Sequence, residues 1–341
     1  MNDFETLHIA VDQRGVARLT LNRPEQHNAL SGRMIDELTT AALHLADNEA
    51  VRIVILTGAG TSFCAGGDLG WMREQVNATR AQRIEEARKL ALMLKALRDL
   101  PKPLIGRING QAYGGGVGLI SVCDAAISIS GARFGLTETK LGLIPATISP
   151  YVVARIGEAN ALRTFTSARL FDAEEGRRIG LLHDVVEAER LDAAVEAEIK
   201  PYFSTAPAAV AASKRLVHAL GAPIDEAVID MTLTRLADTW ETPEAAEGIA
   251  AFLRNEHQHG REGTKSLNQK AAGRGENGDF RVPERSVLNV HEHRNAEKRH
   301  LQTGMAAFGT DSLTLGGADF RCSCGYLALA IESRKCILIT S

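Results

Sequence analysis

Two glycine-bearing loops and the carboxylate of Glu138 are the residues of this chain whose types and spacing could do chemistry. The first loop is Gly114-Gly115-Gly116, with Gly118 two residues on, followed by a second strand that ends at Glu138. The second runs from Gly58 to Asp68 as Gly-Ala-Gly-Thr-Ser-Phe-Cys-Ala-Gly-Gly-Asp. Without a Cβ, glycine lets its backbone N–H come close to a ligand atom, and N–H groups at the start of a helix have no partner inside it. A dinucleotide fingerprint fails on spacing, because its third glycine would fall on Leu119 or Ser121. A P-loop fails because no Gly-Lys-Ser/Thr follows. Two readings stay open. The glycines permit close packing of helix on strand, or their N–H groups hold a developing negative oxygen while Glu138 moves a proton.

The second reading needs a second donor from elsewhere in the chain, and the elements around the loops can supply it. Leu7 to Val11 and Val16 to Asn22 read as a hairpin with alternating apolar positions. After the polar loop Asn22 to Leu30, Ser31 can cap a helix through about Ala46, with Met34, Leu38, Ala42 and Leu45 on one face. Val51 to Thr57 is a continuous apolar strand, and Leu104 to Ile108 another. The Gly58–Asp68 loop follows the first of these strands, and the glycine cluster follows the second. Adjacent strand ends of one sheet lie close together, so the two loops can aim their N–H groups at a single oxygen. Between them, Thr79 to Asp99 is a long amphipathic helix ended by Pro101 and Pro103. Beyond the cluster, a second strand ending at Glu138 is expected, then helices through about Ile156 and from Glu158 to Ala168. Helix from Phe171 to Gly180 and a short strand from His183 to Glu187 follow. Leu191 to Leu253 reads as Ala-rich helix interrupted at Pro207, Pro223 and Pro243, a run suited to packing against other subunits.

Composition bounds the partners. At 341 residues and 45% hydrophobic content the chain can bury a sizeable core, and a net charge of −3 gives no overall basic field for nucleic acid. No apolar run approaches the roughly 18 residues of a membrane helix, so neither nucleic acid nor membrane is expected as a partner. The acidic start Met1-Asn2-Asp3-Phe4-Glu5 lacks the apolar stretch of a signal peptide. Five cysteines at irregular spacing argue for reduced thiols in a cytoplasmic setting, with Cys64 and Cys123 as small core residues. From about Arg254 the chain turns polar and rich in Gly, Asn and Arg, and disorder is expected. His291 with His293, and Cys322 with Cys324, are too isolated to make a metal site, and none is expected.

With both loops in view, the chain resembles the enoyl-CoA hydratase/isomerase (crotonase) family over roughly residues 5 to 253. The resemblance is carried in order by Asn22-Arg23-Pro24 with Asn28-Ala29-Leu30, by Phe63-Cys64-Ala65-Gly66-Gly67-Asp68-Leu69, and by Asn109-Gly110 with Gly114-Gly115-Gly116. Cys123-Asp124, then Phe134-Gly135 with Glu138 and Gly142-Leu143-Ile144-Pro145, complete it. It implies an α/β fold, a crotonase-like spiral of ββα units over residues 1–190, and a C-terminal helical oligomerisation region over 191–254 that builds a homotrimer or hexamer. Residues 255–341 fall outside the match. It also implies an acyl-CoA thioester substrate, with no cofactor beyond the coenzyme A that is part of that substrate. Carried over position by position, Gly67 and Gly115 supply the oxyanion hole, Glu138 is the catalytic glutamate, and Ala65, Gly67, Asp68, Leu69, Gly115 and Gly118 contact the substrate.

Two departures shape the expected reaction. The hydratases usually carry a glutamate two residues after the third glycine, where this chain has Gly118, so an attacking water loses one of its two holders. The segment from Gly142 to Gly157, and Gly67 to Met72, look like those of bacterial methylglutaconyl-CoA and isohexenylglutaconyl-CoA hydratases. The expectation is therefore an enoyl-CoA hydratase taking a branched or carboxylated acyl chain, with Gly118→Glu raising activity on plain substrates. A double-bond isomerase and a non-catalytic acyl-CoA-binding subunit are the alternatives.

Overall fold

The computed structural model describes residues 4–254. The expected disordered extension and the His291/His293 and Cys322/Cys324 pairs lie outside the described residues.

The hairpin forms as expected: β1 (Leu7–Val11) pairs antiparallel with β2 (Val16–Leu21) through a turn that puts Gly15 at φ +82°. Ser31 caps α1 (Gly32–Asp47) by accepting from the Met34 N–H. Next comes β3 (Ile53–Gly58), buried at every position. It is followed by the glycine loop, α2 (Leu69–Asn77) and α3 (Arg80–Arg98), the last opened by a reciprocal Thr79–Gln82 capping box. β4 (Leu104–Ile108) and the short β5 (Ala112–Tyr113) lead into α4 (Gly115–Ser121). β6 (Ala125–Ile129) and β7 (Arg133–Gly135) lead into α5 (Ser149–Ser167), which is broken at Gly157, φ +75°, into the two helices expected. β8 (Leu170–Asp172), α6 (Ala173–Arg178) and β9 (Asp184–Val186) close the core.

Each turn of this spiral adds one strand to a main sheet, and the later turns add a second strand to a small one. The main sheet has the order β1-β2-β3-β4-β6-β9, parallel from β2 onward; the small sheet is β5-β7-β8. Alternate residues of a strand face opposite sides. Val54 and Leu56 of β3 therefore pack with α1 and α3, while Ile53 and Ile55 pack with Leu191, Val195 and Ile199 of α7 (Leu191–Ile199). This is the expected α/β spiral with helices beyond it.

Those helices are α8 (Pro207–Leu220), α9 (Glu226–Trp240) and a last helical stretch at 243–254. Pro207 opens α8 at its first turn instead of interrupting a longer helix, because a residue there has no intrahelical N–H bond to lose. Two local expectations are corrected. The strand before Glu138 stops at Gly135, so Glu138 opens a 3₁₀ turn, Glu138–Leu141, and is not a strand residue. The segment at Phe171 begins as strand β8, paired antiparallel with β7, with the Phe134 and Phe171 rings 5.8 Å apart. That pairing is long-range and left no local pattern.

Candidate active site

The Gly58–Asp68 loop is held by two asparagine side chains. Asn28 is fully buried and donates to the carbonyls of Ala59 (2.8 Å) and Ser62 (2.9 Å), while its Oδ1 accepts from the Arg23 N–H at 2.9 Å. It sits at φ +56°, a conformation that asparagine tolerates better than most residues. Asn109, just past β4, accepts from the Gly58 N–H (3.1 Å) and donates to the Gly60 carbonyl (3.0 Å). Further on, the Leu30 N–H donates to the Gly66 carbonyl (2.7 Å) and the Asp68 N–H to the Leu30 carbonyl (3.0 Å). This parallel bridge turns the N–H of the residue between, Gly67, away from Leu30. It donates to no described residue.

The glycine cluster meets this loop from the other side. The Gly114 N–H donates to the Gly135 carbonyl at 3.0 Å, tying the start of α4 to the strand that precedes Glu138. A Cβ on Gly114 would stand 3.0 Å from Glu138 Oε1, and one on Gly116 would stand 2.3 Å from the Cys64 carbonyl oxygen. Close packing and exposed donors are thus one arrangement: the glycines let the carboxylate and the second loop approach the helix start. The first helical N–H, that of Gly115, has no partner among the described residues.

Gly67, Gly115 and Glu138 line one cavity of about 140 Å³. Apart from Thr147, its walls are otherwise largely apolar, with Trp71 and Met72 from α2, Leu90 from α3, Leu141 and Leu143 after Glu138, and Leu236 and Trp240 from α9. The Glu138 side chain is partly exposed, but its Oε2 is buried with no hydrogen-bond partner among the described residues. Burial pushes this carboxyl up to about 7, opposed only by its own backbone N–H. Two unengaged donors beside a carboxyl that exchanges protons near neutrality can hold a negative oxygen and move a proton next to it.

The other sequence-derived positions sit around this centre. Asp68 caps α2, accepting from Gly70 (2.8 Å) and Trp71 (3.2 Å), and pairs with Arg23 at 2.9 Å. Burial pushes its carboxyl up, but the Trp71 N–H and the Arg23 guanidinium together hold it below the usual range. Ala65 donates to the His27 carbonyl, and Leu69 is the first residue of α2. None of these three lines the cavity, and neither does Gly118. Gly118 lies buried in α4, where a Cβ would come within 2.7 Å of Ile148 Cγ2. The expected gain from Gly118→Glu is therefore corrected: the backbone is helical and would tolerate a side chain, but Ile148 already fills the space.

Sequence reasoning missed the Asn28 and Asn109 staples, although it quoted both residues. It also missed Trp71, Leu236 and Trp240 as cavity wall. The α9 residues carried no signal, since they reach the site through long-range packing: Ile229 and Leu233 on Ala87 and Ala91 of α3, and Trp240 with Leu143, Ala245 and Ile249.

The enoyl-CoA hydratase/isomerase family model matches residues 12–260. The chain belongs to that family. Enoyl-CoA hydratase AKT6-1 of Alternaria alternata is 32% identical over 74% of this chain and 82% of its own length. The crystal structure of an enoyl-CoA hydratase from Shewanella pealeana is 37% identical, with a TM-score of 0.63 over 74% of this chain and 95% of that one. Another, from Mycobacterium avium, is 30% identical, with a TM-score of 0.63 over 75% and 98%. As a family member the protein is an enzyme, a lyase of the enoyl-CoA hydratase kind whose substrates are acyl-CoA thioesters. Among the described residues no group of three His, Cys, Asp or Glu could hold a metal ion. No described helix is long and apolar enough to cross a membrane.

Proposed function

We propose that the enzyme adds water across the double bond of an enoyl-CoA with an apolar, branched acyl chain, using Glu138 as its one acid–base group. The observation that carries this is the Glu138 carboxyl, its Oε2 without a partner among the described residues, beside the N–H groups of Gly67 and Gly115 in a largely apolar cavity. In this reading the two N–H groups form the oxyanion hole. Water oxygen bonds to the β-carbon, the π pair shifts toward the thioester, and the resulting negative oxygen is held by both donors. Removing one such donor typically costs about 2.7–4 kcal/mol. Glu138 starts protonated, gives its proton to the α-carbon, and takes one from the water, so the carboxyl is regenerated.

The cavity lining contains no Arg, Lys or His, which favours the branched over the carboxylated acyl chain. A substrate carboxylate would be buried there without a cation, beside Glu138. The isomerase reading is supported by one observation: Glu138 is the sole carboxylate of the lining, and a lone carboxylate can move a proton between two carbons without water. Reaction in heavy-oxygen water separates the two. Label at the β-carbon supports hydration; double-bond migration without label supports isomerisation.

The same reading assigns residues 1–190 to the catalytic spiral and 191–254 to assembly as a trimer or hexamer. Exposed Leu216, Val217 and Leu220 on α8 support the latter, since such a patch favours a partner surface. The buried free thiols of Cys64 and Cys123 fit a cytoplasmic setting.

A further inference from the structure

Replacing a glutamate by Gly118 leaves hydration short of one group to hold the water, and the cavity offers a substitute that the sequence did not suggest. The segment that fills the space over Gly118 is Ala146-Thr147-Ile148, all three residues buried. Ile148 occupies the room a longer side chain at 118 would need, and its neighbour Thr147 lines the cavity with Glu138, Gly67 and Gly115. Glu138 and Thr147 carry the only side-chain oxygens of that lining.

A buried hydroxyl is nearly always hydrogen-bonded. Five threonines are buried among the described residues, and four of them have partners: Thr6 donates to Glu37, Thr57 to Asn109, Thr164 to the Asn160 carbonyl and Thr232 to the Ile229 carbonyl. Thr147 is 7% exposed and its hydroxyl bonds to no described residue; that oxygen is not among the fully enclosed unpartnered atoms, so it opens onto accessible space. The adjacent Ser149 turns its hydroxyl back onto the Ala146 carbonyl at 2.7 Å, so the local backbone does offer acceptors. The Thr147 hydroxyl is left for something that enters the cavity.

We propose that Thr147 is a catalytic residue of the hydration: its hydroxyl and the Glu138 carboxyl together hold the attacking water. The inference rests on the hydratase reading above. In the step, the water oxygen forms the bond to the β-carbon and one water proton passes to Glu138. The proton Glu138 held goes to the α-carbon. The other water proton, hydrogen-bonded to Thr147 Oγ1, stays on oxygen and becomes part of the product hydroxyl, while Thr147 keeps its own. A neutral hydroxyl suits this site better than a second carboxylate, because it adds no charge that would push the Glu138 carboxyl still higher.

The test compares Thr147→Val, which keeps the shape and removes the hydroxyl, with Thr147→Ser, which keeps the hydroxyl. Two reactions are followed: hydration of a branched enoyl-CoA, and exchange of the α-proton of a saturated acyl-CoA into heavy water. The exchange uses Glu138 but needs no held water. Thr147→Val should lower hydration kcat by about 10- to 100-fold with KM and the exchange rate near wild type, and Thr147→Ser should recover most of the loss. Full hydration by Thr147→Val, or equal loss of hydration and exchange, overturns the role of Thr147 while the hydratase reading stands. Exchange without any hydration by the wild-type enzyme overturns the hydratase reading, and the role of Thr147 with it.

Discussion

Two cavities in the described part of the molecule differ greatly in size, and the smaller is the one to which the proposed chemistry is assigned. The larger, about 720 Å³, lies between α8 and the ends of α4 and α5. Charged side chains line it, but they are already engaged. Lys214 pairs with Asp124 at 2.7 Å and donates to the Lys102 carbonyl. Arg155 donates to the carbonyls of Leu181 and Cys123, and the Tyr151 hydroxyl donates to Ala91 at 2.7 Å. Cys123, its one thiol, is pushed up to about 12 by burial and stays protonated. The Glu138 cavity is about 140 Å³ and mostly apolar, yet it gathers a carboxyl, two N–H groups and a hydroxyl that nothing in the described protein satisfies. In the proposed reading, unspent hydrogen-bonding capacity, and not volume, marks the reactive place, because a group already paired has nothing to offer a transition state.

The sharpest way to break this contrast is to remove the carboxyl. Glu138→Gln should lower turnover by about 10²- to 10⁴-fold, the usual worth of a positioned acid–base group, while binding of a CoA ester measured by calorimetry is retained. Full turnover in this variant would dissolve the distinction between the cavities. Gly118→Glu is expected to destabilise by about 3 kcal/mol in urea melts, since its side chain meets Ile148 in a packed core, and a second change, Ile148→Ala, should recover part of the loss. In the large cavity, Lys214→Met should cost about 2 kcal/mol by leaving Asp124 without its cation, held only by the Leu104 N–H, at a partly exposed site, with kcat of the folded protein unchanged. A fall in kcat there would show that the large cavity is coupled to the reaction.

A further effect is a pH dependence of stability. The folded Glu138 carboxyl titrates at about 7 against an ordinary 4.5, so between these values the unfolded chain loses its proton while the native protein keeps it. Its contribution to stability is present in full below pH 4.5 and is lost as pH rises through 7. Glu138→Gln should therefore match the wild type at pH 4 and exceed it by about 3 kcal/mol at pH 8. The hydration rate should fall over the same upper range, because the proposed reaction starts from the protonated carboxyl, whereas α-proton exchange should rise. Parallel pH profiles would count against a single carboxyl serving both.

Much of the core was legible in the chain because its signals are local. The apolar run Val51 to Thr57, the Ser31 cap and the Thr79–Asp99 periodicity each report on neighbours a few residues away, and each element formed within a residue or two of its expected place. The glycine loops announced themselves too, since their residue types fit close backbone approach wherever the chain folds. The pairing of β7 with β8, and the start of a 3₁₀ turn at Glu138, were not legible, because they depend on which segments meet across the core.

The sequence by itself determined the residues that the proposed reaction uses: two runs of glycine and one glutamate, with Gly118 where the family resemblance leads one to expect a second. Tertiary structure decided what those residues can do. Ile148 filling the room over Gly118, α9 walling the cavity with Leu236 and Trp240, and the raised Glu138 carboxyl all arise from contacts between residues distant in the chain. A proton affinity depends on what surrounds a group in space, and hydrogen-bond satisfaction depends on what comes within about 3 Å. Neither quantity exists until the chain has folded.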